Sequence, residues 1–554
     1  MTLPLAAWPM GFDVLVLPKL ALLRFLIVVL AGLRVASWAT FRRRALREGT
    51  ALDLPLVAVV ASAALSTLLA VNPNLAFFGA YGRYEGMTTI ASYALLFWLA
   101  TGVLDRDEAR NLLSALLLGG YIVGLIAIFQ SLIAGTLVAS SAGETARTLG
   151  GAFRAGSTLG NAGELGNFEA MLLPLAVDRL LHSQSFIDRL IILNLTVVLG
   201  LALVLTYSRS AWVGALLGTL VIVARPASRW WRRRPLLVSL GAAVGVGLGI
   251  LALASNVLPP WMEAAITRAG SILDPIHGSG VTRLHIWQDT LSVIAARPWA
   301  GWGPDCFGLA YTRFQTGDWA PGFTIDKAPS DLLQVTSTQG LLGLGGHLWL
   351  LVAIATAWWH GRAQVGALPL LAAVLAYQVP LQVNFSWLPS ASPYWLLLAA
   401  AVTVWGSALP RAVQGAGSRI RCESAGRPVV RTFAGGLLGV MLVGATIKLV
   451  AFPLAADQEF RASLEADARS DRPTALTLLD TSRRLAPEQG VFAAKAGDLL
   501  LDFDAQGRIG PRANRSAARQ AYLDALRLGN ADPQVRAHIA LAGSAPQANW
   551  SPKG

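Results

Sequence analysis

The chain has 554 residues, 54% of them hydrophobic and only 14% charged, with a mean hydropathy of +0.53 and a formal net charge of +13. A composition this apolar excludes an ordinary soluble globule and points to a polytopic membrane protein. The positive charge does not imply nucleic acid, because the basic residues sit in short loops between apolar runs rather than on a basic face of a soluble domain; no nucleic-acid partner is expected.

The first forty residues lack a charged start followed by a small-residue cleavage site, so the first apolar run is read as an uncleaved span. Crossing about 30 Å of hydrocarbon takes roughly 17 to 25 helical residues. That ruler predicts twelve spans, near 19–40, 53–71, 87–104, 111–134, 167–182, 188–206, 210–224, 235–256, 332–358, 364–383, 392–409 and 431–452. The expected fold is an all-α polytopic membrane helix bundle over residues 1–452, interrupted by one long polar loop at 257–331.

The loops divide by charge. One set carries Arg42, Arg43, Arg44, Arg47, Arg106, Arg110, Arg179, Arg225, Arg229, Arg232, Arg233, Arg234, Arg362, Arg411, Arg419, Arg421 and Arg427; the alternate short loops carry only Arg83, Arg147, Arg154 and Arg209. Lys and Arg are retained on the cytoplasmic side, so the first set is cytoplasmic. With an even number of spans, both termini and the long loop are predicted to be extracytoplasmic. Cys306 and Cys422 then fall on opposite sides of the membrane, and no disulfide or metal site is expected from them.

After residue 452 the composition becomes polar and alanine-rich with helical periodicity, which predicts a small extracytoplasmic helical domain at 453–554. Helix pairs closed by Pro487 and Pro533 look like tetratricopeptide repeats. The proline spacing, less an insert near 504–513, leaves about 34 to 36 residues, close to that repeat's length. At most two units fit, enough to bind a protein partner or to pack on the membrane domain.

The outward arginines call for a reason other than topology, since an arginine within or beside a span costs a few kcal/mol on insertion scales. Arg83 and Arg147 admit a bland one, snorkelling to headgroups or capping a helix end. Arg209 in TYSRSAWVG lies flush against two spans, and Arg283 in GVTRLHIW lies on an amphipathic outer segment; both favour a functional role. A guanidinium stays charged and offers a planar fork that matches phosphate oxygens in pairs, which suits a lipid-linked phosphate or diphosphate. The glycine-rich segments GAFRAGSTLGNAGELGNF and ARPWAGWGPDCFG allow close backbone approach to a large ligand. Tyr81, Tyr84, Trp287, Trp299, Trp302 and Trp319 suit either stacking on sugar faces or the interfacial aromatic belt.

In order, GAYGRYEGMTT, GSTLGNAGELGNFEAMLLPLA, TYSRSAWVG, TRLHIWQDTL with RPWAGWGPDCF, and DKAPSDLLQVTSTQGLLGL resemble the O-antigen ligase and polymerase superfamily across roughly residues 75–360. The resemblance implies a metal-independent, cofactor-free glycosyltransferase of the inner membrane, working on its outer face. Its donor would be an undecaprenyl-diphosphate-linked glycan, and its acceptor a glycan, lipid or protein. It places Arg209 and Arg283 on the diphosphate, with Arg154 and Arg83 as further members of the cluster.

One departure stands out. Where that family has a histidine, this chain reads Ala328, Pro329, Ser330, and proline has no side-chain base. The base for the acceptor hydroxyl is left open among Asp326, Asp331, His285 and Glu164. His285 also reads as a structural histidine, Asp326 with Lys327 as a surface pair, and His347 as a packing contact inside a span. Pro329 also motivates a second expectation, a non-catalytic lipid-linked-glycan binding or scaffold protein of envelope polysaccharide assembly. A secondary transporter is disfavoured by the lack of paired interrupted spans in corresponding halves.

Overall fold

The structure is a computed structural model that describes residues 1–40, 49–134, 148–149, 152–224, 260–271, 279–317, 325–406, 428–503, 509–510, 513–530 and 532–543. The predicted span 235–256, Arg147, Trp319, Cys422 and the arginine groups at 42–47, 225–234 and 411–427 lie outside those residues.

Helices α1 (Leu17–Thr40), α2 (Asp53–Leu68), α3 (Met87–Thr101), α4 (Arg106–Phe129), α5 (Ala162–His182), α6 (Phe186–Leu205) and α7 (Arg209–Val223) form the first half of the bundle. Two helices of the long polar loop follow, α8 (Pro260–Gly270) and α9 (Ser279–Ala296), and then α10 (Asp331–Gly361), α11 (Ala367–Gln378), α12 (Leu388–Gly406) and α13 (Pro428–Thr446). The only β structure in named strands among the described residues is a two-residue hairpin pair, Thr148–Leu149 with Ala152–Phe153. The chain is therefore an all-helical membrane protein. Among the described residues, five helical stretches are long and apolar enough to cross a bilayer, Arg106–Leu132, Phe186–Leu205, Asp331–Gly361, Leu388–Gly406 and Gly435–Ala468, and four shorter apolar helices accompany them.

Local chemistry fixes several ends. Asp105 accepts from the backbone N–H of Asp107 and Glu108 (2.9 and 2.8 Å) while Glu108 accepts from the N–H of Asp105 (2.8 Å), a reciprocal cap that starts α4. Asn161 accepts from the N–H of Gly163 (2.7 Å) and starts α5. The centre of the bundle is α12, buried along most of its length and packed against α3, α4, α5, α10 and α11. In α7, Gly214 and Gly218 lie four residues apart against the Ala376 and Ala372 carbonyls of α11, where any Cβ would strike backbone. Without a hydrophobic drive between helices in lipid, such close approach supplies the packing energy. Leu190, Ile191, Val197, Val440, Met441 and Val443 are exposed, as lipid-facing side chains should be.

The predicted span at 332–358 is bent rather than straight. Gly340 has φ 68° and ψ −167° inside α10, a left-handed turn that other residues rarely adopt. Asp331 Oδ2 lies 3.5 Å from His347 Nε2, whereas a straight helix between them would be about 24 Å long, so the chain doubles back at the glycine. The freed backbone groups are taken up by the RPWAGWG loop: Trp302 and Gly303 donate to the Ser337 and Thr338 carbonyls (3.1 and 2.9 Å), and Leu341 donates to the Pro298 carbonyl (2.7 Å). Irregular backbone at membrane depth survives only with such partners. Ser66, near the end of α2, donates to the Thr338 carbonyl (2.6 Å), and Gly346 lies against Ala58 and Val59 two turns earlier. Residues 331–339 therefore rise alongside the end of α2, and the chain beyond Gly340 runs back down it.

Beyond α13 a π-turn at Ile447–Ala451 leads without a break into α14 (Phe452–Ala468), so the expected boundary at 452 falls inside a continuous helix. Then come α15 (Arg472–Leu485), α16 (Gly490–Leu501), α17 (Arg515–Arg527) and α18 (Pro533–Gly543). These helices rest on the segment between α2 and α3: Asn72 donates to the Arg527 carbonyl (3.0 Å), and Asn74 to the Glu488 and Leu528 carbonyls (2.9 and 3.0 Å).

Candidate active site

A cavity of about 450 Å³ opens between α7, α9 and the segment after α11, lined by Arg209, Ser210, Gly280, Arg283, Leu284, Trp287, Pro380 and Gln382 among others. Gly280, Arg283, Leu284 and Trp287 recur at helical spacing, so one face of α9 forms a wall. His285 lies about 200° around the helix from Arg283 and is exposed, off that wall. Trp287 bridges outward from the wall by donating to the Pro329 carbonyl (3.1 Å).

Arg209 begins α7 and donates to the carbonyl and hydroxyl of Ser271, the latter at 3.3 Å. The turn before it is strained, with Tyr207 at φ 51°, and it is gripped from two sides. Arg154 donates to the Thr206 carbonyl (3.2 Å) and Arg268 to the Tyr207 carbonyl (3.4 Å). Three guanidinium groups thus gather at one turn, with Arg283 within electrostatic reach of them. Burial, and then the neighbouring Arg209, Arg154 and Arg283, lowers the Arg268 guanidinium to about 10. Burial, followed by Arg209 and Arg154, also lowers Arg283. Such mutual repulsion is what an anion bound among them would relieve.

Arg268 was not among the sequence candidates. ITRAG lies within the long polar loop, where an arginine carries no distinguishing signal; only the grip on the TYSR turn marks it.

Arg83 lies apart from the cavity lining, in a second polar cluster. It donates to Asp326 (2.6 Å) and stacks over Trp387 and Phe385 at 4.8 and 5.5 Å from the ring centroids. Lys327 forms an ion pair with Glu85, so Asp326 and Lys327 each bind the GRYEG loop rather than one another. Trp387 donates to the Arg83 carbonyl (3.2 Å), and Asp305 accepts from the N–H of Ala80 (2.7 Å) and Glu85 (3.2 Å). Asp331 pairs with His347 and accepts from the N–H of Ser386 (3.5 Å). Glu164 is buried and accepts from the Ser390 hydroxyl at 2.5 Å. The two clusters share a partition, since residues 379–383 line the cavity and the same segment continues into Phe385, Ser386 and Trp387.

Arg154, Arg209 and Arg283 are thus brought together, whereas Arg83, Asp326, Asp331 and Glu164 form the neighbouring group. Residues 195–348, which include the end of α6, all of α7, the long polar loop and the bend of α10, match the family model described as O-antigen ligase. That match supports the O-antigen ligase and polymerase superfamily. No curated protein matches the chain. The match and the apolar helices support a multi-pass membrane protein, and the family implies glycan transfer or polymerisation in envelope polysaccharide synthesis, on lipid-linked glycan and acceptor substrates. Both Arg209 and Arg283 lie within the O-antigen ligase match, as do Arg268, Asp331 and His347.

Proposed function

We propose that the protein transfers or polymerises glycan from an undecaprenyl-diphosphate carrier on the outer face of the bacterial inner membrane. The observation that carries this reading is a cavity of about 450 Å³ with a largely apolar wall, lined by Arg209 and Arg283, with Arg154 and Arg268 within electrostatic reach of them. Guanidinium forks grip the diphosphate, and the apolar wall takes the first isoprene units. An acceptor hydroxyl attacks the anomeric carbon, and the bond to the diphosphate breaks with its electron pair leaving on the phosphate. The hydroxyl proton passes to a base. Donors fixed in advance toward that developing charge are the strongest single catalytic device a site can hold. The positive-inside pattern of the loops supports an outward site, extracytoplasmic termini and helices α14–α18 on the same side. Paired helices in that region support a short tetratricopeptide-like array, which offers a surface to a protein partner.

The test is transfer of labelled glycan from its undecaprenyl diphosphate carrier by purified protein in nanodiscs. Arg209→Ala and Arg283→Ala are each expected to lower turnover about 10²- to 10³-fold, the range for removing one donor to a developing charge. Wild-type rates in both variants would refute the role of the cavity. Pro329 motivates the alternative of a binding protein without turnover; carrier bound tightly by wild type, with no transfer to any acceptor, would establish that alternative instead.

A further inference from the structure

Proton transfer in this reaction needs a base, and the bend of α10 brings together a histidine and a carboxylate sixteen positions apart in sequence. We infer that His347, held by Asp331, takes the proton from the acceptor hydroxyl. This rests on the glycan-transfer reading above.

The geometry comes from the reversal at Gly340, which returns His347 to the level of Asp331 and brings Nε2 within 3.5 Å of Oδ2. A carboxylate at that nitrogen favours the tautomer with the proton on Nε2 and leaves the Nδ1 lone pair to accept. Asp331 is itself fixed, because it opens the helix and accepts from the Ser386 N–H at 3.5 Å.

The pair stands beside the partition of the arginine cavity. Asp331 lies two residues past Pro329, whose carbonyl accepts from the cavity-lining Trp287, and Ser386 lies three residues past Val383, another lining residue. The side chains of His347 and Asp331 keep 17% and 13% of their surface exposed, so neither is sealed in the core. Of the other acids nearby, Asp326 is engaged by Arg83, and Glu164 is only 2% exposed and bonded to Ser390. The charged and titratable groups within electrostatic reach of Asp331 are Glu164, Lys327, Tyr377 and Tyr394, with Arg83 acting on the first two.

The experiment compares full-length wild type with His347→Gln, His347→Ala and Asp331→Asn in nanodiscs. It measures glycan transfer from the undecaprenyl diphosphate carrier, equilibrium binding of that carrier and thermal unfolding. Loss of a general base is expected to lower turnover about 10²- to 10⁴-fold in both His347 variants, with carrier affinity unchanged. With the base removed, the acid limb of the wild-type pH–rate profile is expected to vanish in His347→Gln. Asp331→Asn is expected to lower turnover less and to move that limb, because the imidazole remains. Wild-type turnover with an unaltered pH profile in His347→Gln overturns the inference and leaves the arginine reading standing. A parallel fall in carrier binding or unfolding temperature also overturns it, by assigning His347 to packing. Absence of transfer in the wild type, from any carrier, removes the functional reading and the inference together.

Discussion

A carboxylate withdrawn from water at the edge of a cationic site has an energetic signature that can be read from pH. Asp305 holds the GRYEG loop by accepting from the N–H of Ala80 and Glu85, and burial pushes its carboxyl up to about 6, with Asp326 adding to the rise. The unfolded value is about 4, so between pH 4 and 6 the folded chain binds the proton more tightly than the unfolded one. The contribution of Asp305 to stability is therefore present in full below about pH 4 and is lost as pH rises through 6. Asp305→Asn keeps an acceptor oxygen, tolerates the φ of 55° at this position and cannot ionise. Thermal unfolding in detergent is expected to show the variant gaining on wild type steadily from pH 4 to 7; parallel curves would contradict the assignment. At this scale the nearness of Arg154, Arg209 and Arg283 to one another was legible in the sequence, because arginines in the loops that the charge pattern reads as outward gain nothing from insertion bias and so mark themselves. Arg268 and the role of His347 were not, since the first sits in a polar loop and the second depends on a reversal of the chain.

Hydropathy exposes whole spans well, because twenty apolar residues have few other uses, and every predicted span among the described residues falls on a helix. It does not expose breaks within them. VTSTQGLLGLGG reads as uninterrupted helix, yet Gly340 turns left-handed and its Cα faces the Trp299 carbonyl with no room for a side chain. Two segments are interlocked there, Gly301 being equally tight against the Thr338 carbonyl. Gly340→Ala must either leave the left-handed region or push the RPWAGWG loop away, a strain of about 1–3 kcal/mol. The loop follows directly on α9, which carries Arg283 and Trp287. The expected outcome is a lower unfolding temperature together with loss of glycan transfer, checked by scanning fluorimetry and the carrier assay on the same preparation. Full stability and full turnover in the Gly340→Ala variant would show that the bend has no part in forming the site.

Across the whole molecule, the C-terminal helices do more than sit beside the bundle. Asp457 of α14 is almost fully buried and accepts from the Tyr81 hydroxyl and from the N–H of Asp13 at 3.1 Å, joining the chain's beginning, its C-terminal region and the GRYEG loop at one carboxylate. Phe460 and Phe492 both pack edge-on against the Tyr81 ring, at 6.0 and 5.7 Å between centroids. Tyr81 is two residues from Arg83, which holds Asp326 of the long polar loop. A mechanical path therefore runs from α14 through Tyr81 and Arg83 to the loop that leads into Asp331. Asp457→Ala leaves the Tyr81 hydroxyl and the Asp13 N–H without their acceptor, at a cost of about 1–3 kcal/mol for each buried group left unpaired. If the path couples the parts, hydrogen exchange is expected to quicken in residues 80–86 and 325–331 as well as in α14. The carrier's apparent affinity should fall with it, since the arginine cavity shares its partition with this cluster. Faster exchange confined to α14, with affinity unchanged, would mean that the C-terminal helices are simply docked and that the site is organised by the bundle alone.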